Sequence, residues 1–177
     1  MRDIGDRILI SNVREKGHAP FRRWAFVAVP LAAILFQVYV PRFFPVLSYL
    51  ELPLLVTIYF ALLRRNQIAG TLIGAAIGLA QDSLGAGKLG VFGISKTLVG
   101  YFAASVGVRL DVEHVFLRFI LCFFFFCFHE LCHWALVHIF VGEQLGFDIG
   151  NTAIVALLNA LVGISLFHFL DKLKERN

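Results

Sequence analysis

Long apolar runs separated by short polar breaks dominate this chain. The runs cover residues 24–40, 46–63, 68–80, 91–108, 115–141 and 151–170. A helix that crosses about 30 Å of hydrocarbon needs roughly 20 such residues, so the pattern predicts an all-α integral membrane protein with six transmembrane helices. The third run is short. It is expected to be thinned, tilted into its neighbours, or completed by the turn at 81–89, because irregular backbone at membrane depth is tolerated only where protein or a cavity covers it. The fifth run is long and is expected to tilt. The domain reading follows: a basic tail over 1–23, one six-helix domain over 24–170, and a short tail over 171–177.

Composition agrees with this pattern. The hydrophobic fraction is 59% and the mean hydropathy +0.79, above the half-apolar make-up of soluble domains. Six spans use nearly the whole chain and leave no room for a sizeable soluble domain. The net charge of +4 reads as topology and not as a nucleic-acid surface, since the basic residues sit at the ends of apolar runs. Arg2, Arg7, Arg14, Lys16, Arg22 and Arg23 precede the first run, Arg64 and Arg65 follow the second, Arg109 follows the fourth with Arg118 nearby, and Lys172, Lys174 and Arg176 close the chain. Only Arg42 and Lys88 lie on the other side, while the turn at 142–150 carries Glu143 and Asp148. The positive-inside rule then places both termini in the cytoplasm. The first run ends Val38-Tyr39-Val40-Pro41 without a small-x-small cleavage pattern, so it reads as a retained span. Cys122, Cys127 and Cys132 form neither a Cys-x-x-Cys pair nor a disulfide framework, and read as small buried residues.

Three ionisable residues fall inside the apolar runs, where a central Lys or Asp costs about 2.5–3.5 kcal/mol on insertion scales. Glu51 precedes Arg64 by 13 residues and Lys96 precedes Arg109 by 13. At 1.5 Å per residue both lie about 20 Å from the inner boundary, and Asp82, counted from Arg65, about 25 Å. The expectation is an intramembrane charge cluster of Glu51, Asp82 and Lys96 in the outer half. It reads either as an ion-paired knot that fixes packing or as a partner-recognition, proton or ligand site. Gly70, Gly74 and Gly78 in the third span, and Gly93, Gly100 and Gly107 in the fourth, put small residues on one helical face. Such stripes let backbones approach in lipid, and serve helix packing, a groove for a partner's helix, or both.

His129-Glu130-Leu131-Cys132-His133 matches the H-E-x-x-H pattern, in which two histidines share a helix face and bind zinc beside a glutamate base. A catalytic zinc needs a third protein ligand. His138 points away from His129 on the same helix, Asp148 and Asp171 belong to turns, and His168 lies near an end. Zinc hydrolysis is therefore the weakest reading, with no metal and no cofactor expected. Cys122, His129 and His133 are expected to form a polar face that bonds Thr152 and Asn159 of the sixth span, an interhelical bond worth about 0.6–2 kcal/mol.

The stretch Glu51-Leu-Pro-Leu-Leu-Val-Thr-Ile-Tyr-Phe-Ala-Leu-Leu-Arg-Arg65, with Gly70, Gly74, Gly78, Gln81-Asp82, Leu89-Gly90, Gly93 and Lys96-Thr97-Leu98-Val99-Gly100-Tyr101, resembles the rod shape-determining protein MreD family. The resemblance covers about residues 50 to 110. It implies a non-enzymatic scaffold of the bacterial inner membrane that works in cell-wall elongation and peptidoglycan synthesis. The implied partners are membrane lipids, a bitopic MreC-like protein and, through it, MreB, RodA and a class B penicillin-binding protein. It also implies a fold similar to the substrate-binding subunits of energy-coupling-factor transporters. Glu51 departs from the family, which often has Asp there, and the family gives the segment from His129 to His133 no role. The rival function is a small-molecule-binding subunit of a membrane transporter, with a pocket near the outer face.

Overall fold

A computed structural model describes residues 24–85, 90–110, 112, 114–142 and 146–173. The tail over 1–23, residues 86–89 with Lys88, Glu143, and the chain after residue 173 lie outside the described residues. The described residues form six helices: α1 Ala25–Tyr39, α2 Leu52–Arg64, α3 Gln67–Leu84, α4 Val91–Arg109, α5 Val115–Leu136 and α6 Ile149–Asp171. Five stretches are long and apolar enough to cross a membrane: Ala25–Arg42, Pro45–Arg64, Val91–Arg109, Val115–Phe140 and Ile149–Asp171. The glycines, Gln67, Gln81 and Asp82 dilute the remaining helix, α3. The bundle thus has an arginine-rich end, with Arg64, Arg65, Arg109 and Arg118, and an arginine-poor end formed by the other connections.

Helix α2 is the hub and touches all five other helices. Every residue from Pro53 to Leu62 is buried, as expected of a helix apolar on all sides. It is also short. Its 13 residues rise only about 20 Å, against about 30 Å of hydrocarbon. The second span is therefore not one continuous helix. A 3₁₀ turn, Pro45–Tyr49, enters first, the backbone extends at Leu50 (φ −90°, ψ 125°) and Glu51 (φ −104°, ψ 68°), and α2 begins after it. Pro53 falls in the first turn, where its missing N–H is no loss. The sequence marks the prolines but not the break, because hydropathy is continuous across it.

The third span is longer than the apolar run suggests and extends through Gln81 and Asp82 to Leu84. Asn66 starts it by accepting the Ala69 N–H at 3.1 Å. At the other end α4 begins at Gly90, whose φ of +93° is left-handed and suits a residue without a side chain. A π-helical turn, Val137–Val141, ends the fifth span, and Asp148 caps α6 by accepting the Asn151 N–H at 3.1 Å.

Helices α3 and α4 pack backbone to backbone. A Cβ added to Gly70 would sit 2.7 Å from the Ala104 Cβ, and one on Gly78 would sit 2.7 Å from the Gly93 Cα. On Gly74 it would collide with the Lys96 carbonyl, and on Gly100 with the Gly70 carbonyl. The two glycine stripes fill each other, so no partner helix fits between them. On α5, Phe124 faces out while Phe125 and Phe126 are buried. Leu31, Leu72, Ile94, Leu161 and Phe169 complete an exposed apolar belt of the kind lipid solvates.

Candidate functional site

Lys96 sits on the second turn of α4 and is fully buried. Its Nζ lies 3.3 Å from Glu51 Oε2, 3.3 Å from His129 Nε2 and 4.4 Å from the centre of the Phe92 ring. All three partners are electron-rich: a carboxylate, an imidazole nitrogen and an aromatic face. That set suits an ammonium, which is a donor only. His129 Nε2 must then accept, which leaves the proton on Nδ1; that nitrogen lies 3.4 Å from Glu130 Oε1 but makes no hydrogen bond to the described residues. The cluster therefore runs Glu51–Lys96–His129–Glu130 across α2, α4 and α5.

Asp82 is near but plays another part. Its carboxylate accepts the backbone N–H groups of Gly90 at 3.0 Å, Phe92 at 3.2 Å and Gly93 at 2.8 Å. These are orphan donors of the α4 N-terminus, where the helix dipole also favours negative charge. Of the three residues grouped from the sequence, Glu51 and Lys96 meet, while Asp82 caps the helix that carries Lys96.

Glu51 is held by its backbone. Asn159 of α6, fully buried, accepts the Glu51 N–H at 2.8 Å and donates to the carbonyls of Tyr49 at 2.7 Å and Val155 at 3.0 Å. One amide thus satisfies both sides of the break before α2. Here the sequence reading needs correction. His129 turns to Lys96 on α4 and not to α6, and Asn159 bonds the break and not the histidines. Cys122 of that arc does meet α6, where a Cβ on Gly163 would lie 2.9 Å from its Sγ. A depth count was available for His129. It lies 11 residues past Arg118, about 16 Å along a helix, near the level of Glu51 and Lys96.

His129 and His133 do not form an open chelate. The Phe92 ring stacks on His133 at 4.9 Å and lies parallel to His129 at 6.1 Å, and His129 Nε2 is taken by Lys96. Among the described residues no group of three or more His, Cys, Asp or Glu is placed to hold a metal ion.

Beside the cluster lies a cavity of about 180 Å³, lined by Ser48, Tyr49, Glu51, Phe126, Glu130, Asn151, Thr152 and Val155. Ser48, Tyr49 and Asn151 are exposed, so it opens toward the arginine-poor end.

A second ion pair occupies the arginine-rich end. Arg118 of α5 donates from Nη1 to Asp171 Oδ2 at 2.5 Å and from Nε to the Val112 carbonyl at 2.7 Å. Tyr59 of α2 donates to Asp171 Oδ1 at 2.9 Å, and the Arg118 guanidinium lies 5.9 Å from the Phe167 ring centre. Sequence reasoning used Arg118 for topology alone and left Asp171 in the tail. The only signal for the pair was opposite charge at the same end.

The comparisons complete the picture. A family model described as rod shape-determining protein MreD matches residues 21–176. No curated protein and no solved structure matches the chain.

Proposed function

Because this chain belongs to the rod shape-determining protein MreD family, we propose that it is a non-enzymatic scaffold of the bacterial elongation machinery. It sits in the inner membrane with the arginine-rich end and both termini in the cytoplasm. It binds a bitopic MreC-like partner and, through that partner, supports peptidoglycan synthesis with MreB, RodA and a class B penicillin-binding protein. The observation that carries this reading is the family match over nearly the full chain, extending well beyond the stretch from residue 50 to 110. The helical bundle with its apolar belt supports it, as does the arginine asymmetry.

The glycine stripes serve packing first, and Gly93 also lines an open apolar cavity of about 250 Å³ with Leu79, Ile94, Thr97 and Leu98. The stripes join α3 to α4, so the partner docks on the lipid-facing surface. A variant such as Gly100→Leu would disrupt the bundle itself. The test is complementation with capture. Expressed in a rod-shaped bacterium depleted of its own family member, the chain should restore rods and should co-purify with the MreC-like protein from its own genome. Round cells despite full-length protein in the membrane, or no co-purification, would reject the proposal. One observation favours a second reading, a small-molecule-binding transport subunit: the polar cavity beside Glu51.

A further inference from the structure

We propose that the cavity at the arginine-poor end is a binding site for a small primary amine in its ammonium form. The argument rests on what the walls offer. The Ser48 hydroxyl donates its proton to the Pro45 carbonyl at 2.6 Å, and the Thr152 hydroxyl donates to the Asp148 carbonyl at 2.8 Å. Both hydroxyl oxygens therefore turn only lone pairs to the cavity. Glu51 and Glu130 add carboxylates, which also only accept. The Asn151 amide and the Tyr49 hydroxyl add donors to the walls, but acceptors outnumber them, and that surplus suits a primary ammonium, which carries three donors and no acceptor.

The charge count points the same way. Two carboxylates, Glu51 and Glu130, face one ammonium, Lys96, with His129 neutral between them. One negative charge is left beside the cavity, in a region where an unbalanced charge is costly. The Lys96 ammonium already shows the recognition at this site, held by a carboxylate, an imidazole nitrogen and the Phe92 ring. A second ammonium in the cavity meets Glu130 and the free side of Glu51. The volume of about 180 Å³ is far above the ~15 Å³ that a single water requires, so an alkylammonium fits. A metal ion is less suited, because among the described residues no group of three or more His, Cys, Asp or Glu is placed to hold one. This site is independent of the scaffold reading.

The test uses the whole protein in lipid nanodiscs at pH 7. Ethylammonium chloride is titrated at constant ionic strength against tetramethylammonium chloride, which has the same charge but no N–H, and against sodium chloride. The thermal unfolding midpoint is followed. Ethylammonium should raise the midpoint saturably, and the other two salts should not. Glu130→Gln should weaken the apparent affinity about tenfold, the scale of one charge-assisted hydrogen bond, while its midpoint in sodium chloride stays at or above that of the parent. Thr152→Val, which removes one acceptor and keeps the shape, should weaken it by a smaller factor and supplies the answer if Glu130→Gln does not fold. Equal responses to ethylammonium and tetramethylammonium would overturn the proposal. So would a sodium response as large, or an ethylammonium response unchanged in the folded variants. Because cell shape and partner capture are read separately, loss of this site and loss of the scaffold reading are distinguishable.

Discussion

Two part-buried ion pairs, one toward each end of the bundle, are built on opposite plans. At the arginine-rich end every partner is committed. Arg118 spans a carboxylate and a backbone carbonyl, Asp171 takes a second bond from Tyr59, and the adjoining cavity of about 20 Å³ has room for about one water. At the arginine-poor end the Lys96–Glu51 pair has an extra acid, Glu130, and an open cavity nine times larger (180 against 20). Depth differs as well. Lys96 is fully buried and Glu51 keeps 15% of its side-chain surface exposed, against 12% and 25% for Arg118 and Asp171. The lesson is that burial of charge does not define a function by itself. A saturated pair staples helices together, whereas a pair with surplus charge and empty space beside it is equipped to take a ligand.

Breaking the deeper pair should cost most. Lys96→Ala strands Glu51 and His129 in low dielectric and should destabilise the purified protein by about 3–5 kcal/mol, read as loss of accumulation and an earlier unfolding transition. The double variant Lys96→Leu with Glu51→Leu removes both charges and should recover much of that loss. A Lys96→Ala protein as stable as the parent would mean that the pair does not hold the fold. At the other end Arg118→Ala should cost less, about 1.5–3 kcal/mol, the range of hydrogen bonds to charged groups. Water reaches the stranded Asp171 there. If Arg118→Ala proves the more damaging of the two, the contrast in depth is wrong. Asp82→Ala should cost about 1–2 kcal/mol as loss of a helix cap, and Asp82→Asn less, because an amide oxygen still accepts. An Asp82→Asn variant as impaired as Lys96→Ala would show instead that the Asp82 charge belongs to the Lys96 cluster. Smallest of all, Glu130→Gln should shift stability by no more than about 0.5 kcal/mol. A large loss would show that Glu130 is already balanced and that the outer pair carries no surplus.

The sequence carried the bundle well and the partners within it less well. Apolar runs and arginine positions were enough for six spans, because lipid imposes a length and a charge side on each one. Counting from Arg64 and Arg109 put Glu51 and Lys96 at one level, since helical rise is fixed. Rotation about each helix axis was not legible. Apolar spacing sets Asn159 opposite the histidines of α5, whereas Asn159 bonds the Glu51 and Tyr49 backbone and His129 meets Lys96. The break at Leu50–Glu51 was hidden because apolar composition continues through it. The glycine stripes were visible as close-approach surfaces, but one sequence does not say which surface approaches which. That answer came from the Gly74 position against the Lys96 carbonyl.

The same α3–α4 contact bears on how the chain enters the bilayer. Helix α3, with two glutamines, Asp82 and a stripe of glycines, falls short of the five apolar stretches and is a poor stop for the insertion machinery when it emerges alone. Its carboxylate is satisfied only once Gly90, Phe92 and Gly93 have been synthesised. Biogenesis should therefore treat the two helices as one hairpin: in chains truncated after Leu84 the segment Gln67–Leu84 should stay largely uninserted although the two earlier spans anchor the chain, and in chains that extend beyond Arg109 it should be protected from an aqueous cysteine reagent.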